Sequence, residues 1–286
     1  MALVHSLWTA PMLAQERGAK TERQIITTVW CAASSVAYAQ RLNTPIHLYA
    51  DDFAKQMLAF LPYSKIYTLS VPEWVPTLFW AAGKFFAYKQ MPLGDVHIDT
   101  DVFIKTPQCL QEIERGSAQN DLIVQCTENQ ENCIPHYYTI INRIFDDYHI
   151  RFEDIPTNKW KLAYNCGLVG FNNYTLKENY INHYINALHK LRTNPPLLQE
   201  LKDNGCAPDL VLEQQHLYHL ARGYKVCNLL GRGEASWNKS HKIGYQHILG
   251  DGKWNCLDLI QQQLSIVNPL IYLQTKKHIQ KLLNNL

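Results

Sequence analysis

The chain has 286 residues, 47% of them hydrophobic and 18% charged, with a formal net charge of +2. That length suits one large α/β domain or two modest ones, and the composition excludes an intrinsically disordered chain. The near-neutral charge gives no electrostatic reason to expect nucleic acid as a partner, and no run of about 18 apolar residues marks a transmembrane segment.

Residues 2–7 read as a short apolar strand and 8–11 as the turn leaving it. Apolar and small residues at helical spacing cover 22–41, with a stop near Asn43-Thr44-Pro45. Residues 46–49 form a second strand, Asp51-Asp52 opens a helix that runs through Phe60, and 65–69 form a third strand. A helix over 77–90 and the turn Pro92-Leu93-Gly94 lead into an apolar strand over 96–104. Alternating strands and helices of these lengths predict a largely parallel, doubly wound sheet, whose ligands gather at the carboxyl ends of its strands. Further on come a strand over 121–126, a helix over 134–148, a buried strand over 162–171 and a helix over 174–192. Pro195-Pro196 breaks the pattern, 209–222 is helical, 224–229 is a strand, 231–252 is loop-rich and 257–286 is mostly helical. With no internal repeat and no linker, one continuous domain over 1–286 with a helical tail is expected.

The strand over 96–104 holds the first functional signal, because its apolar run is interrupted by Asp99 and Asp101. A strand alternates its faces with period two, so both carboxylates project to one side. Unpaired charge beside a core is expensive, and a divalent cation is the simplest partner. The plain alternative is two solvated acids in a turn. Four further features join them: the amide and glycine Asn165 and Gly167 inside a buried strand, Glu213-Gln214-Gln215 on a helix, the run from His247 through Gly250 to Lys253-Trp254, and Lys84 one helix upstream. Glycine inside a strand marks close approach by a ligand or backbone, or simply a bulge. Lys84 reads either as a phosphate contact or as a helix lysine whose stem snorkels. Trp8 and Tyr49, at the ends of the first two strands, are placed either to stack on a nucleobase or to pack.

Taken in order, these features resemble the GT-A glycosyltransferases, especially the retaining glycogenin-like and lipopolysaccharide galactosyltransferase-like family. The matching elements are Asp99-Thr100-Asp101, Asn165-Cys166-Gly167, Glu213-Gln214 and the His-x-x-Gly-x-x-Lys run of His247, Gly250 and Lys253. The resemblance implies a GT-A fold, Rossmann-like with a central mixed, mostly parallel sheet. Its nucleotide-binding half would cover 1–106, an acceptor and donor-sugar half 107–256, and the helical tail 257–286. It implies Asp99, Asp101 and His247 as ligands of Mn²⁺ or Mg²⁺, and mixed carboxylate and imidazole donors suit Mn²⁺ better than Mg²⁺. Lys253 and the Gly250 backbone would meet the diphosphate of a UDP-sugar, with Asp99 also near the ribose, and Asn165, Gly167, Glu213 and Gln214 would face the donor sugar. Two departures bear on stereochemistry and sugar identity: Lys253 meets Trp254 without the family's intervening proline, and Glu213-Gln214-Gln215 stands where Asp-Gln-Asp is usual.

The expected activity is metal-dependent transfer of a hexose from a UDP-sugar to an acceptor hydroxyl, with retention implied by resemblance alone. The alternatives are inverting transfer with Glu213 or Asp209 as base, and a non-catalytic sugar-nucleotide-binding module. Nucleotidyl transfer ranks lower, because it calls for a glycine-rich basic loop after the first strand and 7–18 offers only Arg17 and Gly18. The acceptor is left open among a glycan, a lipid-linked sugar, a small molecule and a protein. Eight dispersed cysteines suit a reducing compartment, so a cytoplasmic location is expected. The opening residues 1–13 lack a basic n-region, so no signal peptide is expected. Cys126, Cys133 and His136 hint at zinc spacing but lack a fourth ligand, and free thiols are the better reading. Lys276, Lys277 and Lys281 follow apolar helical spacing in the tail, which is expected to pack on the domain, with peripheral membrane contact as the alternative.

Overall fold

A computed structural model describes residues 1–14, 21–129, 135–152, 162–233, 235–250 and 252–284, with backbone alone at 135–137. The expectations placed on Arg17, Gly18, Cys133 and the His136 side chain fall outside those residues.

The first half alternates as its sequence pattern requires. Strand β1 (Leu3–Leu7) leads through the short helix α1 (Ala10–Leu13) to the long helix α2 (Thr21–Arg41) and then to β2 (Ile46–Ala50). Asp51 caps α3 (Asp52–Leu58) by accepting from Ala54 N at 2.8 Å, and its other oxygen takes Thr9 N at 2.6 Å. One carboxylate therefore starts a helix and ties down the loop leaving β1. Strand β3 (Lys65–Thr68) follows, and α4 begins only at Ala82 (Ala82–Gln90), five residues later than its apolar spacing predicts. The run expected as one strand over 96–104 is two: β4 (Val96–Ile98) and β5 (Val102–Ile104), with a turn between them.

Helix α5 (Pro107–Gln119) has no counterpart among the predicted elements; Thr106 caps it and Pro107 occupies its first turn. Strand β6 (Leu122–Asn129), helix α6 (Pro135–Asp147), strand β7 (Leu162–Phe171) and helix α7 (Tyr174–Arg192) follow the predicted order. Pro195-Pro196 opens a helix rather than breaking one: Asn194 caps α8 (Pro195–Asp203), where prolines at the start lose no hydrogen bond. The helix expected over 209–222 is a π-helical turn, Leu210–Gln215, continued by α9 (His216–Leu220). After β8 (Val226–Asn228), the supposedly loop-rich stretch contains α10 (Ala235–Ile243), β9 (Tyr245–His247) and α11 (Gly252–Asn255). The tail forms α12 (Leu257–Val267) and α13 (Pro269–Leu283).

Among the described residues, seven strands form one sheet in the order β3-β2-β1-β4-β7-β6-β8, and β5 pairs with β9 in a separate ribbon. The sheet is mixed: β7 runs antiparallel to both β4 and β6, whereas the other pairs are parallel. Alternation along the strands divides the core in two. Leu3 and Leu48 join α2 and the tail on one face; Val4 and Tyr49 join α4 and α7 on the other. The tail packs on α2, with the Trp30 and Tyr272 rings 5.5 Å apart. No helix among the described residues is long and apolar enough to cross a membrane.

Candidate metal centre

The chain leaves β1 towards β2 on one side, and β4 lies on the other side of β1. Such a reversal opens a crevice at the carboxyl ends of the strands. Asp99 follows the last residue of β4 at this edge. Its amide donates to the Gly167 carbonyl at 2.9 Å, and its own carbonyl accepts from Val102 N at 2.9 Å, which closes the turn. Asp99 and Asp101 thus share a side because a turn brings them round, not because a strand alternates. The ribbon supplies the third donor. Val102 pairs with His247, and Ile248 N donates to the Asp101 carbonyl at 3.1 Å. One carboxylate oxygen each from Asp99 and Asp101 and one ring nitrogen of His247 lie within 4.8 Å of one another.

Two lysines serve the two aspartates. Lys253 Nζ lies 2.6 Å from Asp101 Oδ2, and His247 Nε2 lies 3.5 Å from Asp101 Oδ1. Burial alone would raise the Asp101 carboxyl, but Lys253 and His247 outweigh it and hold the group well below the carboxylate range. Lys84 Nζ bridges Asp99 at 2.8 Å and Glu213 at 2.9 Å. Its burial works against the charge, yet Asp99 and Glu213 prevail and raise its pKa well above the ordinary value. Lys84 is therefore no snorkelling residue; its ammonium is the buried counter-ion of two acids. Glu213 is completely buried, which pushes its carboxyl up to about 7 despite Lys84. Its Oε2 has no hydrogen-bond partner among the described residues.

The wall opposite is made by β7 and the π-helical turn. Between Val124 and Cys126 the register with β7 shifts, so that β7 bulges at Cys166-Gly167-Leu168. Asn165 supports the bulge: its Oδ1 accepts from Gly167 N at 3.0 Å and its Nδ2 donates to Glu128 at 2.7 Å. A Cβ on Gly167 would lie 2.5 Å from both Gln125 Oε1 and His247 Nδ1. Glycine is required there because the imidazole and the amide fill its side-chain space. Gln214 is half-buried and accepts from the Tyr138 hydroxyl at 2.5 Å. Gln125 and Glu128 were not singled out by sequence reasoning. Their signal is modest: polar residues inside β6, with Gln125 only 7% exposed.

The remaining predicted residues separate. Gly250 has φ +53 and open space around its missing side chain, one turn before Lys253. Trp8 is half-buried against α4, where a Cβ on Gly83 would meet its own Cβ at 2.6 Å. Tyr49 is a packing residue in its surroundings, 3% exposed and stacked on Tyr67 with centroids 4.6 Å apart. Asp209 is fully buried, accepting from Ala81 N at 2.8 Å and the Tyr184 hydroxyl at 2.6 Å. Its carboxylate anchors the approach to α4 against α7. Cys126 is buried.

Two carboxylates and an imidazole converging at the carboxyl edge of parallel strands fit a first-row divalent cation. Fold and site together define a mixed α/β protein with a candidate three-donor metal centre. A family model described as "Family of unknown function (DUF6734)" matches residues 1–278, and the chain belongs to that family. No curated protein and no solved structure matches the chain significantly.

Proposed function

We propose that this chain is a metal-dependent glycosyltransferase that moves a hexose from a UDP-sugar to an acceptor hydroxyl. The supporting observation is the convergence of Asp99, Asp101, His247, Lys84, Glu213 and Lys253 from four separated segments onto one strand edge. Asp99, Asp101 and His247 would hold Mn²⁺ or Mg²⁺. The ion, when bound, supplies Lewis-acid neutralisation of charge on the departing diphosphate. Lys253 adds a second positive charge on that side, and Gly250 lets the backbone approach a phosphate. Lys84 orients Asp99, and Glu213 keeps Lys84 in place. Asn165 and Gln214, each pinned by a neighbouring side chain, offer amides to the donor sugar.

In the retaining reaction the bond from the anomeric carbon to phosphate breaks and a bond to the acceptor oxygen forms on the same face. The acceptor's proton passes to the departing phosphate oxygen, so no protein base is consumed. The environment of Glu213 favours this course over the inverting one, because a fully buried carboxylate paired with Lys84 has little access to an acceptor hydroxyl.

The test is release of UDP from several UDP-sugars in Mn²⁺, comparing the wild-type chain with Asp101→Asn. The variant is expected to lose activity by at least about a hundredfold, the scale of several kcal/mol of lost charge stabilisation. Equal turnover in both proteins removes the metal role. Tight Mn²⁺-dependent UDP binding without turnover, with acceptor hydroxyls supplied, makes the chain a binding module.

A further inference from the structure

A histidine serves a cation only through a nitrogen that carries a lone pair, so the tautomer of His247 matters as much as its position. Its Nε2 is the nitrogen nearest Asp101, at 3.5 Å, and its Nδ1 lies 2.8 Å from Gln125 Oε1. The same Gln125 oxygen accepts from the Tyr245 hydroxyl at 2.8 Å. An amide oxygen only accepts, so the proton between Gln125 and His247 belongs to Nδ1. In the neutral ring the lone pair then stands on Nε2, towards the carboxylates.

Three local features of the fold produce this contact. Tyr245 and His247 are two residues apart on β9 and so share a face. The β7 bulge carries Gly167 opposite Gln125, and the missing Cβ leaves room for the imidazole and the amide to meet. Gln125 itself sits between Val124 and Cys126 at 7% exposure, where an apolar residue would avoid the desolvation that an amide incurs. The two hydrogen bonds to Tyr245 and His247 offset that cost.

We propose that Gln125 is the positioning residue of the metal centre, holding His247 in the Nδ1–H tautomer with Nε2 turned to Asp101, while Tyr245 steadies its amide. The inference rests on the reading of Asp99, Asp101 and His247 as cation ligands. Outer partners of this kind typically change metal affinity ten- to a hundredfold when removed.

The test combines two measurements on the full chain. Nitrogen-15 NMR of histidine-labelled, metal-free protein reads the His247 tautomer, with its signal assigned by loss in His247→Gln. Electron paramagnetic resonance titration with Mn²⁺ alone reads affinity. Wild type is expected to show Nδ1–H. Gln125→Met is expected to lose that preference and weaken Mn²⁺ binding about ten- to a hundredfold. Gln125→Glu, which keeps an acceptor oxygen, restores the tautomer and brings affinity back to within about tenfold of wild type. Tyr245→Phe, which preserves core volume, weakens Mn²⁺ by a smaller factor and guards against misfolding of the methionine variant. A neutral wild-type ring protonated on Nε2 rather than Nδ1 overturns the proposal. So do unchanged tautomer and unchanged affinity in folded Gln125→Met, which would leave Gln125 a packing residue. Failure of the wild type to bind Mn²⁺ overturns the metal reading beneath the proposal, and the metal-free tautomer measurement keeps the two failures distinct.

Discussion

Lys84 is the side chain on which the largest local energies turn. Its residue is 8% exposed, its two acidic partners come from a turn and a π-helical segment, and Glu213 is wholly buried. Removing one member of such a buried group leaves an uncompensated charge, at a cost of about 3–5 kcal/mol. Replacing the facing charge in the same chain removes that penalty. Urea unfolding is therefore expected to show Lys84→Met strongly destabilised, with Lys84→Met/Glu213→Gln recovering a large part of the loss. The recovery is incomplete because Asp99 still loses its Lys84 partner. Strict additivity of the two single changes would show that Lys84 and Glu213 are not energetically coupled. The aspartates differ in the same way. Asp101 is enclosed by Lys253 and His247, whereas the Asp99 side chain retains 21% exposure and shares Lys84 with Glu213.

At the level of elements, the strands and helices that sequence pattern revealed are those with uninterrupted local period. Residues 22–41 and 174–192 carry helical spacing over many turns, and both form helices with nearly those ends. The apolar run over 96–104 misled because both halves are β-structured and buried, whereas the break between them is set from outside. Asp99 donates to Gly167, and β5 turns away to pair with β9, which is far along the chain. No local pattern encodes either contact. Helix α5 was legible in principle from Thr106-Pro107, a cap followed by a first-turn proline. The π-helical turn at Leu210–Gln215 was not. Insertions of that kind gather at functional sites, and here the turn holds Glu213 in the core while Gln214 stays half-buried. The candidate ligands and the charged residues around them stood out as chemistry in the sequence, but the ion pairs among them did not: Glu213 meets Lys84 across 129 residues of chain.

Across the whole molecule, buried titratable groups set the pH dependence of stability. His5 is completely buried between Tyr63 and Ser35, and burial lowers its pKa to about 4 against the attraction of Asp99 and Asp101. Burial likewise holds His216 well below its ordinary value. A histidine kept neutral in the fold takes up a proton more readily when unfolded, so stability present above about pH 6.5 is lost on acidification towards pH 4. Glu213, raised to about 7, opposes this by losing stability as pH rises from its unfolded value towards 7. His5→Gln isolates one contribution. Thermal unfolding between pH 7.5 and 4.5 should show a shallower acid loss for the variant, the difference reaching a few kcal/mol at most, on the order of 1.4 kcal/mol per pH unit. Identical slopes in both proteins would mean that His5 titrates in the fold as it does in the unfolded chain.

The same global arrangement places the site. The reversal of strand order between β1 and β4 sets Asp99 at the carboxyl edge of the sheet, and the β5–β9 ribbon carries His247 across to it. A crystal of the chain soaked with Mn²⁺ and UDP, measured for anomalous scattering from manganese, tests that convergence most directly. The expected map has one strong peak coordinated by the Asp99 and Asp101 carboxylates and by His247 Nε2, with the diphosphate against Lys253. Clear density for UDP with the manganese peak elsewhere, or with none, would contradict a metal centre built from these three residues.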